Sequence, residues 1–166
     1  MNCGTDDVVA YHIWYSPITG QEMQLIATVT TDTTIIYQQL ESVAGCYAVT
    51  ALDTFNNESS FSNIVCIDNC PLYELPNVFT PNGDNTNDFF IPFPYLAVKS
   101  VDLKIYDRWG VVVFETMDPA IGWDGTNQQN GKACVDGVYY YTCTVHEIRL
   151  EGVVARKIQG FVHVLR

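Results

Sequence analysis

Near the middle of the chain, Val78-Phe79-Thr80-Pro81-Asn82-Gly83-Asp84-Asn85-Thr86-Asn87-Asp88-Phe89-Phe90 leaves the backbone little choice. Pro81 fixes its own φ, and Asn82-Gly83 can take positive φ at little cost. Asp84, Asn87 and Asp88 can hydrogen-bond back onto the loop or hold a cation. Phe79 on one side and Phe89-Phe90 on the other are placed to pin the loop to a core. The residues before this segment are expected to form one β domain and those after it another.

The flanking sequence supports that division. Val8 to Tyr15 alternates, with Val9, Tyr11, Ile13 and Tyr15 on one face and Ala10, His12 and Trp14 on the other. Further strands are expected at Met23 to Val29, Thr34 to Tyr37, Gly45 to Leu52 and Phe61 to Ile67. After a junction at Asp68-Asn69-Cys70-Pro71, strands are expected near Tyr73 to Val78, Phe90 to Phe93, Val98 to Asp107, Val111 to Glu115, Gly137 to Leu150 and Val153 to Leu165. Arg108-Trp109-Gly110 and Glu151-Gly152 serve as hairpin turns. No helical stripe of period 3.6 competes, so the fold class is all-β. Two sandwich modules of about 70–100 residues fit the 166 residues, with bounds 1–70 and 71–166 and a junction too short to act as a flexible linker. No internal repeat stands out.

The later landmarks are Lys104-Ile105-Tyr106-Asp107-Arg108-Trp109-Gly110, Val113-Phe114-Glu115, Trp123-Asp124-Gly125-Thr126, Asn130-Gly131-Lys132, Asp136-Gly137-Val138-Tyr139-Tyr140-Tyr141 and Gly160-Phe161-Val162. With Phe-Thr-Pro-Asn-Gly-Asp and Asn-Asp-x-Phe ahead of them, they resemble, in order, the gliding-motility-associated C-terminal domain. That family is the type B sorting domain of type IX secretion on Bacteroidota surface proteins. The resemblance implies an immunoglobulin-like sandwich over 71–166. Tyr47-x-Val49-x-Ala51-x-Asp53, followed by Asn57-Glu58-Ser59 and Ser62-Asn63, is similar to the F–G hairpin of a fibronectin type III domain, with Tyr47 as a candidate tyrosine corner. Val8 to Tyr15 would then be strand C of a truncated first module. The fold expected is two immunoglobulin-like antiparallel β-sandwich modules in tandem.

Six cysteines suggest an oxidising compartment. A hairpin turning near Asn56 sets Cys46 opposite Cys66, with Cys70 a competitor for Cys46. A bridge between Cys134 and Cys143 would close the small loop around Asp136-Gly137. Strands C and G of the first sheet run parallel, so the start of C lies a strand length, about 26 Å, from the end of G. Cys3 is therefore expected to be free or paired outside this chain. Cys66-x3-Cys70 has no nearby histidine to complete a zinc site.

A formal net charge of −11 sets the surface against nucleic acid and anionic lipid. No apolar run is long enough for a membrane-spanning helix. Met1-Asn2-Cys3-Gly4-Thr5-Asp6-Asp7 is not a signal peptide, so an exported protein would be represented here by a fragment with Met1 an artefact. His12, His146 and His163 sit inside strands, no phosphate-cradling glycine loop is present, and the acid pairs Asp84 with Asp88 and Asp124 with Asp136 lie in Gly/Asn-rich turns. No catalytic or cofactor-binding residues are assigned, and an enzyme is not expected. Asp84, Thr86 and Asp88 could offer hard oxygens to a structural calcium ion, in competition with a self-capping Asx-turn loop. The loop departs from the family's usual Asp-Gly at Asp84-Asn85, which Asn's tolerance of the left-handed conformation can absorb.

The resemblance implies a sorting signal that carries a passenger to the cell surface or beyond by docking on the type IX outer-membrane translocon and associated outer-membrane proteins. Its display element would be the last hairpin, with Lys157, Phe161, Val162, Val164 and Arg166 as docking residues, although the apolar ones also suit a final core strand. The alternatives are an adhesive or carbohydrate-binding sandwich using Trp109, Trp123 and loop 126–132, and a stalk domain without ligand.

Overall fold

The computed structural model describes residues 7–30, 32, 34–36, 38 and 42–166. Among these the chain is all-β, without a helix. The strands are β1 (Val8–Ser16), β2 (Gln24–Val29), β3 (Gly45–Asp53), β4 (Val65–Ile67), β5 (Val78–Phe79), β6 (Val98–Tyr106), β7 (Val112–Thr116), β8 (Gly137–Arg149) and β9 (Gly152–Val164). They form one sheet ordered β2-β1-β3-β4 and another ordered β5-β9-β8-β6-β7. The chain divides into two compact units, Met1–Asn69 with Arg149–Gly152, and Cys70–Ile148 with Val153–Arg166.

In the first unit β1 lies between β2 and β3, antiparallel to both. Ile13 faces Val49 and Tyr15 faces Tyr47, so the two alternating apolar sets share a face, as their period of two predicts. The opposite face buries small residues, Ala10, Cys46, Ala48 and Thr50. There the Trp14 indole N–H donates to Thr50 Oγ1 (2.9 Å) and its ring meets Phe61 edge-on at 5.5 Å. Cys46 lies opposite Cys66 and the two form a disulfide, with Cα atoms 4.0 Å apart.

Strand β4 is shorter than the apolar run from Phe61 suggests. Ser62 Oγ accepts from Val49 N (3.0 Å) and Ser59 Oγ from Ala51 N (2.9 Å), so serine hydroxyls take the place of ladder carbonyls along that edge. Thr34, Ile35 and Ile36 lie outside any strand. Tyr37, the end of that expected strand, and Cys3 fall outside the described residues.

In the second unit, one face of the sheet supplies Val101, Leu103, Ile105, Val113, Tyr139, Cys143, Val145, Val162 and Val164 to a single core. The rest of the core comes from extended irregular chain, which contributes Tyr73, Phe90, Ile121 and Trp123, and from Phe79 of the edge strand β5. Prolines explain why two expected strands shrink. Pro76 limits the first to Val78–Phe79, and Pro92 with Pro94 reduces the second to one bridge, Phe90 with Trp123. The free edge of β7 is blunted by Gln128, whose N–H donates to Val113 O (2.8 Å) and whose Oε1 accepts from Glu115 N (3.0 Å).

The two units repeat one topology. β2-β1-β3-β4 and β7-β6-β8-β9 follow the same chain order, that of the C′-C-F-G layer of an immunoglobulin-like sandwich. A short sequence repeat accompanies it: Val-x-Gly-x-Tyr-x-x-Thr occurs at Val43–Thr50 and again at Val135–Thr142. In each copy the tyrosine hydroxyl donates to the carbonyl four residues upstream, Tyr47 to Val43 (3.0 Å) and Tyr139 to Val135 (2.9 Å). Tyr47 therefore has the geometry expected of a tyrosine corner, and Tyr139 is its counterpart.

The bridge expected between Cys134 and Cys143 does not form; both carry buried free thiols, and Cys70 an exposed one. Cys134 lies beside Tyr139, whereas Cys143 is four residues further along β8, about 13 Å at strand rise, beyond disulfide reach. Burial pushes the Cys143 thiol up to about 11 and raises that of Cys134, which keeps both protonated and slow to oxidise at neutral pH. Thiol titration of the native protein should therefore leave Cys134 and Cys143 unreacted, and unfolding in guanidinium should release two additional thiols. Release of none would restore the bridge. Trp123→Ala should cost about 3–5 kcal/mol of stability in denaturant unfolding, the range for a buried aromatic.

Candidate functional site

The 78–90 loop is closed by Thr80 N donating to Asn87 O (2.8 Å). Asp88 holds it from within. Its Oδ1 accepts from Asn82 N (3.0 Å) and Gly83 N (2.7 Å), and its Oδ2 from Asn85 N (2.8 Å). Asp84 Oδ1 accepts from Thr86 N (2.8 Å), and its Oδ2 from the Asn82 side-chain amide (3.1 Å). Gly83, Asn85 and Asn87 have φ of 80°, 65° and 54°, so Asn85 adopts the left-handed conformation anticipated for it. The carboxylates of Asp84 and Asp88 are turned onto the loop's own N–H groups, and no cluster of three His, Cys, Asp or Glu side chains able to hold a metal occurs among the described residues.

The loop is anchored by Phe90 and Trp123. Phe90 N donates to Trp123 O (2.7 Å) and Trp123 N to Phe90 O (3.3 Å). The Trp123 ring, 1 % exposed, sits 5.2 Å from Phe79, 6.4 Å from Phe90 and 5.6 Å from Tyr139, and its indole N–H donates to Thr126 O (2.8 Å). Trp123 is thus a core residue and unavailable as half of a sugar platform. Gly125 follows with φ 77°, and a Cβ there would come within 3.0 Å of the Pro81 ring and 3.2 Å of the Arg166 guanidinium. A larger residue would have to displace these side chains as well as adopt a left-handed φ.

The structure divides the residues expected to dock. Val162 and Val164 are fully buried in the core and cannot contact a partner. Lys157 and Phe161 lie on the exposed face of β9, Phe161 stacked edge-on against His163. Arg166 is a clamp rather than a free cation. Its Nη1 donates to Cys134 O and Asp136 Oδ1 (3.2 Å), and its Nη2 to Gly125 O (3.3 Å). The alternation of β9 implied the burial of the valines, whereas nothing local to Arg166 signalled its three distant partners.

The other sequence candidates have structural partners as well. Asp124 Oδ1 caps its turn through Thr126 N (2.9 Å), and Asp136 pairs with Arg166. His12 and His146 sit 3.1 and 2.9 Å from Glu58 and Asp102. Glu58 also accepts from the Thr50 hydroxyl, and this bond, followed by that to His12, holds its carboxyl below the usual range.

Asp88→Ala removes the acceptor of three amides and should lower stability by about 1–2 kcal/mol in urea. A self-capped loop also predicts a thermal midpoint that does not move when calcium is added or chelated; a rise of several degrees with calcium would show that the loop binds it.

A comparison with curated proteins finds none that matches the chain. A family model described as the CHU_C type IX secretion signal domain matches residues 73–164, more than half of the sequence. The matched stretch runs from the buried Tyr73 through the 78–90 loop and the Trp123 anchor to Val164, the last residue of β9. The chain therefore belongs to the type IX secretion signal domain family, which makes it a sorting signal for export across the outer membrane.

Proposed function

We propose that the second unit acts by protein–protein docking on the type IX outer-membrane translocon and its associated outer-membrane proteins, so that a passenger is carried out and left at the cell surface. The observation that carries this reading is the family match over 73–164. The build of the unit supports it. A recognition signal needs a rigid display, and here the turns are capped by their own Asp and Asn side chains while the end of the chain is tied down by Arg166. Order present before binding reduces the entropy lost on docking. Within the last hairpin, Lys157 and Phe161 remain the candidates for contact.

The reading assigns no catalysis and no required cofactor to the chain. The carboxylates considered for hydrolysis, Asp84, Asp88, Asp124 and Asp136, serve as turn caps or a clamp partner, which supports this reading. The first unit fits a fibronectin-like spacer ahead of the signal, supported by its C′-C-F-G order and the Tyr47 bond. A carbohydrate-binding module is the weaker reading, because Trp123 is buried.

The test fuses residues 71–166, and separately 1–166, to a secreted fluorescent reporter in a type IX-competent host. Surface delivery by both is the expected result, with loss of delivery when β8 and β9 are deleted. Delivery by 1–166 alone would make the first unit part of the signal. Periplasmic retention of both would sink the sorting role.

A further inference from the structure

The β6–β7 turn projects Trp109, 83 % exposed, from a backbone that does not need it. Asp107 Oδ1 accepts from Trp109 N and Val111 N (2.9 Å each), and Gly110 takes φ 80°, so a small polar residue would serve the turn equally well. Beside Trp109 lies a cleft of about 350 Å³ within the second unit, walled by Arg108, Asn127, Asn130 and Lys132.

Two of the side chains walling this cleft, Arg108 and Lys132, are cations, against the one carboxylate of Asp107. Asn127 Oδ1 and Asn130 Oδ1 accept from Gln129 N and Lys132 N (2.9 Å each), and Asp107, which also lines the cleft, uses its Oδ1 on the turn. Besides Asp107 Oδ2, the cleft offers a ligand the Arg108 guanidinium, the Lys132 ammonium, the Trp109 indole N–H and two amide NH₂ groups. Arg108 and Lys132 enter no ion pair among the described residues, whereas Lys104, Arg156 and Arg166 are each matched to a carboxylate. Two unmatched cations flank an exposed Trp on a protein of net charge −11. Trp and Arg at a pocket are the side chains that dominate protein–protein binding energy. The rim is braced from behind, because Arg166 holds Cys134 O and Asp136.

We propose that this cleft is a recognition site for an acidic peptide segment of a protein partner, with Arg108 and Lys132 holding its carboxylates and Trp109 packing on an adjacent apolar side chain. The inference deepens the docking reading above and rests on it for the partner's source in the secretion machinery.

The test uses the whole 166-residue chain with Trp109→Ala, and separately the pair Arg108→Glu with Lys132→Glu. Both should keep the parent's denaturation midpoint, since these side chains are not in the core. As reporter fusions, both should lose surface delivery at least tenfold. In vitro, a peptide alternating Glu and Leu should protect Trp109 from acrylamide quenching. The Gln-for-Glu peptide and the doubly reversed protein should each weaken this at least tenfold. Delivery of the variants at the parent's level would overturn the proposal while leaving the sorting role intact. If the parent fusion itself is not delivered, the sorting role fails and the peptide titration alone decides the cleft: equal protection by the Gln peptide, or protection by oligogalacturonate in place of the Glu peptide, overturns it.

Discussion

The second unit depends on the pairing of Phe90 with Trp123. Their two backbone bonds join segments 33 residues apart in sequence, and the rings of Phe79, Phe114 and Tyr139 close around the indole. No regular strand runs on this side of the core, so the bridge and the aromatic cluster do the work a second sheet would do. Burial excludes water from the bridge and strengthens it, while the bridge holds the rings at fixed depth. Phe79 then fixes β5, which pairs in parallel with the end of β9. The opening loop and the closing strand are thus positioned by one contact.

Motif order and alternation carried most of the fold. The period of two set both faces of β1 and β3, and the register about Asn56 set Cys46 opposite Cys66. What was not legible depended on which partner a group would choose. Ser62 is expected within a strand that begins at Phe61, yet its hydroxyl takes the β3 edge in place of a ladder carbonyl. Cys134 and Cys143 looked paired because they flank a glycine turn, yet strand rise separates them. Val162 and Val164 suit both a docking surface and a final core strand in sequence, and their burial selects the core strand. Arg166 was legible only as a charge; its partners at 125, 134 and 136 arrive through the tertiary fold.

The conserved topology of the two units gives the glycines a physical reading. Gly45 and Gly137 open β3 and β8 with φ of 159° and 154°, and in each case a tyrosine two residues later reaches back to the valine carbonyl two residues before the glycine. The same sheet order therefore comes with the same start to its central strand. Gly160 serves a different end. A Cβ there would fall 2.6 Å from the Tyr141 hydroxyl, so the glycine in the closing Gly-Phe-Val motif makes room for a tyrosine of the neighbouring strand. Motif residues that look like recognition signals in sequence are, in these cases, requirements of packing.

That distinction sharpens what a surface signal can be made of. Once Trp123, Gly125, Gly160, Val162 and Val164 are explained by the core, and Asp84, Asp88, Asp124 and Asp136 by turns and the clamp, few motif residues are left without a structural use. Trp109 is the largest of them. An exposed indole forgoes roughly the 1.5–3 kcal/mol that burying a large apolar side chain provides, and gives the turn nothing in return. Two unmatched cations beside it forgo ion pairs on a surface rich in carboxylates. Both kinds of group gain from a partner what the fold withholds from them, which is the physical basis for placing recognition at that end of the sheet.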